Sequence, residues 1–246
     1  MKIIYEPKGK ALEYAELAVN LYSGCDHGCI YCYAPRTLKQ TMESFREVKP
    51  KPDALSRLVK DADYLSDKKD TRPILMSFAT DPYCHADVKH KLTRQALEIL
   101  LSRGLNVTIL TKGGARADRD FDIYREYPEQ LTFAITLAFS DEEMQKQYEP
   151  NTASVGERLL VLEYVKKKIG LKTWVSLEPV FNAAQTLDLI DRSHEFVDLY
   201  KVGTLNYHSD AEKVDWKTFY NCAQLKFIEL KKDHYFKKDL IDKVLK

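Results

Sequence analysis

Ser23-Gly24-Cys25-Asp26-His27-Gly28-Cys29-Ile30-Tyr31-Cys32-Tyr33-Ala34-Pro35 carries three thiols within eight residues, at the spacing C-x3-C-x2-C. A strand-like run, Leu17 to Tyr22, precedes them and a helix-like stretch follows. Soft thiolates of this kind suit iron–sulfur clusters or zinc. Zinc asks for four tetrahedral ligands, and His27 lies inside the loop. But His27 is two residues from Cys25 and two from Cys29, so it would have to fold back sharply to share their metal. No second Cys or His pair follows at zinc-finger spacing. The spacing therefore favours a cluster. Three thiolates on a four-iron cluster leave one iron without a protein ligand.

Working outward, the chain has 246 residues, 44% hydrophobic and 30% charged, which suits one α/β domain. Net charge is +1, so no global field advertises nucleic acid. No apolar run approaches a membrane span, and no signal-peptide pattern opens the chain. Five cysteines, three of them clustered, argue for a reducing compartment and against a disulfide scaffold. The expectation is a cytoplasmic protein with no membrane partner.

Short apolar runs alternate with helical periodicity. The strand candidates are Leu17–Tyr22, Ile74–Ala79, Asn106–Thr111, Leu131–Leu137, Leu171–Leu177 and Val197–Leu205. Between them, Ala54–Leu65 follows Asp53 as an N-cap, and Val88–Arg103 ends at Gly104. Capping boxes open at Ser140 and Ser154, the second starting a helix that stops near Gly170. Six βα units imply parallel strands with right-handed crossovers, hence α/β class and a partial (β/α)6 barrel. Residues 17–230 form this core, 1–16 an N-terminal extension, and 231–246 a terminal helix or tail with six Lys and three Asp.

Sites in such barrels gather where strands end. The second strand ends Thr80-Asp81-Pro82-Tyr83, the third ends in Lys112, the fourth carries Thr136 and the fifth Glu178. Lys112 is the one cation at the end of an apolar and hydroxyl-bearing strand. For each of these residues ordinary strand-end capping competes with ligand binding; Asp-Pro, as in Asp81-Pro82, is a common turn. Cys84 with His85 and Asp87 offers a thiol beside a base, against the plainer reading of a loop Cys. Cys222 beside Phe219 and Ala223 reads as core. Asn206-Tyr207-His208 ends the sixth strand and is placed at the opening. Arg36, Lys39, Lys112, Arg116 and Arg119 would make a weak basic rim, and Lys166-Lys167-Lys168 a solvated face.

The Cys motif, with an aromatic just before the third Cys, resembles that of the radical S-adenosylmethionine (SAM) enzymes. Taken with Thr80-Asp81-Pro82-Tyr83, Leu92-Thr93-Arg94, Thr111-Lys112-Gly113 and Tyr148-Glu149-Pro150, it resembles the spore photoproduct lyase-related branch, over about Leu17 to Tyr207. The resemblance implies a [4Fe–4S] cluster on Cys25, Cys29 and Cys32, with SAM on the fourth iron. Reduction would split SAM into methionine and a 5′-deoxyadenosyl radical that abstracts hydrogen from a substrate: a nucleic-acid base, a peptide or a small metabolite. It implies Tyr31 and Tyr33 flanking SAM, Thr80 and Thr136 hydrogen-bonding it, and Lys112 meeting its carboxylate. By chemical type alone, Asp81 suits SAM's ammonium, and Glu178 at the barrel mouth suits its ribose hydroxyls or the substrate. With no flavin or nicotinamide fingerprint, an external flavodoxin- or ferredoxin-like electron donor is expected. The rival reading keeps the fold as a non-catalytic metal-binding or regulatory module.

The branch pattern is broken at one place. Spore photoproduct lyase carries, at the end of the second strand, a Cys that returns hydrogen to the product radical; here Phe78 occupies that position. Cys84 and Tyr83 are the nearby candidates for such a catalytic role.

Overall fold

The computed structural model describes residues 2–205 and 214–245. Among the described residues ten strands form: β1 (Ile4–Tyr5), β2 (Leu17–Val19), β3 (Tyr22–Ser23), β4 (Lys49–Pro50), β5 (Ile74–Met76), β6 (Val107–Thr111), β7 (Leu131–Thr136), β8 (Lys172–Val180), β9 (Leu199–Thr204) and β10 (Asp233–Phe236). Eight of them make one sheet in the order β1-β2-β5-β6-β7-β8-β9-β10, and β3 pairs with β4 apart from it. Every pairing in the large sheet is parallel except that of β1 with β2. Parallel neighbours in sequence order, joined by helices, curl into the incomplete barrel that the alternating pattern implies.

All six strand candidates fall on β2 and β5 to β9, with ends shifted by a few residues. The tail differs from its expected form. Before its helix, Lys238–Val244, it supplies β10, which pairs with β9 from Asp233↔Leu199 to Phe236↔Val202. The Val88–Arg103 helix is two: His85–His90 and Leu92–Leu101, divided at Lys91, whose φ of 51° lies in the left-handed region. Asp53 precedes its helix with a left-handed φ of 52° and makes no side-chain cap. Ser154 caps as expected, accepting from Glu157 N, but at the earlier box the cap is Asp141, which accepts from Met144 N, and not Ser140.

Side chains alternate across a strand. Outward residues such as Leu17, Val19, Ile74, Met76, Phe133 and Ile135 join the main core against the helices. Inward ones, Ala18, Leu75, Ala134 and Trp174 with Leu110, Tyr14 and Phe78, form a separate apolar cluster inside the barrel. Two residues further along β5 to β8, on the same inner face, come Ser77, Lys112, Thr136 and Ser176. All four line a cavity above that apolar plug. Period two thus sets a polar layer on an apolar floor.

The barrel's two edges are tied by the segment after β1. Lys10 pairs with Asp239, and Glu13 Oε1 accepts from Tyr235 Oη at 3.0 Å and Lys238 N at 2.7 Å. Cys222 is exposed, not core. On the helix Trp216–Glu229, Phe219 and Ala223 share the buried face at i and i+4, and Cys222 is rotated off it.

Candidate cofactor site

The Cys loop is held by contacts to four other segments. Gly24 opens it with φ of 84°; a Cβ there would sit 2.4 Å from Phe45 O, so the turn requires glycine. Cys25 N then donates to the same Phe45 O at 2.8 Å. Asp26 accepts from His85 N and Ala86 N at 3.0 and 2.9 Å. Ile30 N reaches Tyr148 O at 3.0 Å, and Asn151 N reaches His27 O at 3.2 Å. His27 is buried, 2.8 Å from an Arg116 guanidinium nitrogen; burial lowers its pKa to about 4, so it is neutral.

Cys25, Cys29 and Cys32 line one cavity of about 450 Å³, together with Tyr31, Tyr33, Thr80, Asp81, Lys112, Thr136 and Glu178. The sequence-derived cofactor residues are thus brought together at the strands' C-terminal ends. Among the described residues no three His, Cys, Asp or Glu side chains are gathered into a closed ion-holding group. The fit to a cluster comes from the soft donor set on a preformed loop in a roomy wall. The fit to SAM comes from polar atoms in that wall. Thr80 Oγ1 is buried with no partner, a state that ordinarily costs stability unless a ligand satisfies it.

Lys112 and Glu149 form a buried charge network beside the loop. Lys112 Nζ is 2.6 Å from Tyr31 Oη, 3.1 Å from Glu149 Oε1 and 3.7 Å from Cys29 Sγ. Tyr31 Oη in turn donates to Glu149 Oε1. Glu149, fully buried, also accepts from Arg158 at 2.6 Å. Burial pushes the Glu149 carboxyl up, but Arg158 and Lys112 outweigh it and hold the pKa at about 2. Burial raises the Cys29 thiol to about 11, with Lys112 pulling the other way. Lys112 Nζ thus donates to Tyr31 Oη and Cys29 Sγ and pairs with Glu149, while its side chain still lines the cavity.

Other candidate residues also have partners within the protein. Asp81 accepts from Tyr83 N, Thr111 Oγ1 and Lys112 N at 2.8, 2.6 and 2.7 Å, so it fixes two strand ends to each other. Tyr83 and Cys84 do not reach the cavity. Tyr83 is buried behind it, bonding Asp120 and Tyr124 at 2.9 and 2.6 Å. Cys84 is fully buried in the main core. The Pro82 turn carries both outward to the helix layer. Of the five basic-rim residues, three turn inward, Lys112 to Glu149, Arg116 to His27 and Tyr83 O, and Arg119 to Asp87, while Arg36 and Lys39 are exposed. Asn206, Tyr207 and His208 lie outside the described residues.

Several wall residues escaped the sequence reading. Glu178 accepts from Lys237 Nζ at 2.8 Å and from Tyr14 Oη, which also lies 2.8 Å from Ser176 Oγ. Gly203 makes room: a Cβ there would meet Glu178 Cδ at 2.6 Å. Ser176 and Ser77 had a signal in their parity with Trp174 and Leu75. Tyr14 and Lys237 come from opposite ends of the chain and had none.

A family model described as the Radical SAM superfamily matches residues 19–190. Curated relatives include the uncharacterized protein Rv2578c of Mycobacterium tuberculosis, 28% identical over 181 residues, or 71% of this chain and 52% of that protein. Another is the uncharacterized protein MJ0683 of Methanocaldococcus jannaschii, 26% identical over 203 residues, covering 80% of this chain and 73% of that one. The chain spans about half the length of the first of these relatives. Among solved structures, a spore photoproduct lyase double mutant with bound AdoMet and dinucleoside spore photoproduct superposes with TM-score 0.73. Its identity is 15%, over 95% of this chain and 78% of that one. Streptococcus suis SuiB bound to S-adenosylmethionine gives 0.63 at 14% identity, over 89% and 49%. No helix among the described residues is long and apolar enough to cross a membrane. The family match covers the Cys loop and strands β5 to β8, and with it the chain belongs to the radical SAM superfamily.

Proposed function

We propose that this chain is a radical SAM enzyme in which Cys25, Cys29 and Cys32 ligate a [4Fe–4S] cluster and SAM takes the fourth iron. When bound, the cluster and SAM supply an electron and a 5′-deoxyadenosyl radical that abstracts hydrogen from the substrate. The observation that carries the reading is one cavity walled by three thiols and an unpartnered Thr80 hydroxyl, at the C-terminal ends of parallel strands.

The chain's own residues have separable tasks. The thiolates hold the metal. Thr80, Thr136 and Ser176 offer hydroxyls to SAM's ammonium and ribose. Glu178, fixed by Lys237 and Tyr14, offers its other oxygen to the ribose diol. Tyr33, whose hydroxyl donates to Phe78 O at 3.1 Å, presents its ring to the cavity. Asp81, Glu149 and Arg158 act through others by fixing strand ends and Lys112. Electrons come from an external flavodoxin- or ferredoxin-like donor, and the protein works in the cytoplasm. The likeness to spore photoproduct lyase favours a nucleic-acid base as substrate; Phe78 argues for a different reaction on it.

The test is anaerobic reconstitution followed by absorption spectroscopy and an assay for 5′-deoxyadenosine under a low-potential reductant. A brown protein that forms 5′-deoxyadenosine is expected, and loss of the chromophore on replacing any one of the three cysteines by Ala. A folded, zinc-loaded protein without SAM cleavage would favour the non-catalytic module.

A further inference from the structure

Beside the thiol-lined cavity lies a second chamber of about 480 Å³. Tyr33, Phe78, Ala79 and Thr80 line both, so single side chains separate the two spaces. Its volume falls within the usual range for a small-molecule site, about 300–1,000 Å³.

The chamber's chemistry is one-sided. Lys8 and Lys51 line it, and among the described residues no Asp or Glu does. Lys51 is only partly exposed. Its pKa is lowered by burial and by Arg57, and no carboxylate among the described residues pairs with it. A half-buried ammonium without a counter-charge is unfavourable, and an anionic ligand would relieve it. Tyr5 and Tyr33 add two large rings that are 36% and 49% exposed. Half-exposed tyrosines in a concave wall offer stacking surface at little entropic cost. Tyr5 Oη is fixed by Asn20 Nδ2 at 2.7 Å, and Asn20 Oδ1 in turn accepts from Phe78 N and Ala79 N at 3.0 Å each. The ring wall and the partition between the chambers therefore form one rigid piece.

We propose that this second chamber is the substrate chamber, and that it takes a planar-ring molecule bearing an anionic group, its ring against Tyr5 and Tyr33 and its anion at Lys51. The ring then lies at the partition, next to the space where hydrogen is abstracted. The role as substrate chamber rests on the radical SAM reading of the neighbouring cavity; binding itself does not. A nucleotide phosphate and an aromatic carboxylate share this chemistry, and the test separates them.

The reconstituted protein is titrated calorimetrically with thymidine 5′-monophosphate, indole-3-acetate and uncharged thymidine. At least one anionic probe binds, and Lys51→Gln weakens it about tenfold, the scale of one charge-assisted contact. Thymidine affinity is unchanged by Lys51→Gln, while Tyr5→Ala weakens every probe that binds. Binding of the phosphate alone identifies a nucleotide source, binding of the carboxylate alone an aromatic acid. SAM affinity stays at the wild-type value in Lys51→Gln, which also reports an intact fold. Equal affinity of Lys51→Gln and wild type for the anionic probes, or no binding of either, overturns the proposal. Failure to form 5′-deoxyadenosine with probe binding intact would instead sink the radical SAM reading and leave the chamber's chemistry standing.

Discussion

Lys112 Nζ lies 3.7 Å from Cys29 Sγ, a part-buried ammonium within N–H···S reach of a thiol in the proposed cluster loop. Hydrogen bonds and net charge around ligand sulfurs set the potential of an iron–sulfur centre. A cation at Cys29 favours the added negative charge of the reduced state. Lys112→Met should therefore lower the cluster's midpoint potential in a potentiometric titration followed by electron paramagnetic resonance, with SAM affinity little changed. An unchanged potential with SAM binding weakened by about 1.5–3 kcal/mol would instead give Lys112 the carboxylate contact.

Glu149 is the sole carboxylate placed between Lys112 and Arg158 in the described network. Replacing it by Gln leaves the fully buried Arg158 and the part-buried Lys112 without a counter-charge, and an ion left buried and unpaired costs about 3–5 kcal/mol. The loss should appear in urea unfolding of the protein without its cofactors. Reversal of the effect by pairing Glu149→Gln with Arg158→Met would localise it to the network; an unaltered urea midpoint in Glu149→Gln counts against the network's contribution.

The same carboxyl makes a pH prediction. Its pKa falls from 4.5 to about 2 on folding. A depressed folded pKa gives stability that is present in full above 4.5 and is lost as pH falls toward 2. Wild-type stability should thus decline steeply across that window, and Glu149→Gln should decline less. Parallel pH–stability curves for the two proteins would refute the assignment.

The Cys loop and the six central strands were legible because each is a local pattern: three thiols in eight residues, and apolar runs between helical periods. The network was only half legible. Lys112 announced itself as a cation at a strand end, but Glu149 is 37 positions away and meets it only once β6 and the Tyr148 turn converge. β10 was hidden because Asp233-His234-Tyr235-Phe236 sits among lysines and carries no continuous apolar run; it becomes a strand by pairing with β9. Tyr83 and Cys84 misled for a different reason. They follow Asp81 in a strand-end motif, yet the Pro82 turn reverses them into the helix layer.

That burial separates structure from chemistry at Tyr83 and Cys84. Cys84→Ala removes one heavy atom from the core and should cost about 1 kcal/mol. Tyr83→Phe deprives Asp120 and Tyr124 of a buried partner and should cost about 1–3 kcal/mol. Both variants should form 5′-deoxyadenosine at the wild-type rate when assayed well below their melting temperatures. A large loss of rate with unchanged stability would return them to the reaction.

The last prediction concerns Phe78. It lines both chambers, and its ring stands edge-on to Tyr14 at 5.9 Å. Returning hydrogen to a product radical by the lyase route needs a thiol in the wall beside the substrate. Among the described residues the only thiols in the cavity wall are Cys25, Cys29 and Cys32, which the cluster would occupy. Cys84 is enclosed in the core, and Cys222 is exposed on the helix Trp216–Glu229. A phenyl ring gives up no hydrogen atom readily, so Phe78 is wall, not donor. Reduced protein incubated with SAM and DNA containing spore photoproduct should therefore restore no thymine while cleaving SAM slowly. Phe78→Cys places a thiol at the shared partition and should raise any restored thymine above the wild-type background. Efficient repair by the wild type would show that another hydrogen source serves the site, and its loss in Tyr14→Phe but not in Cys84→Ala would name Tyr14 as that source.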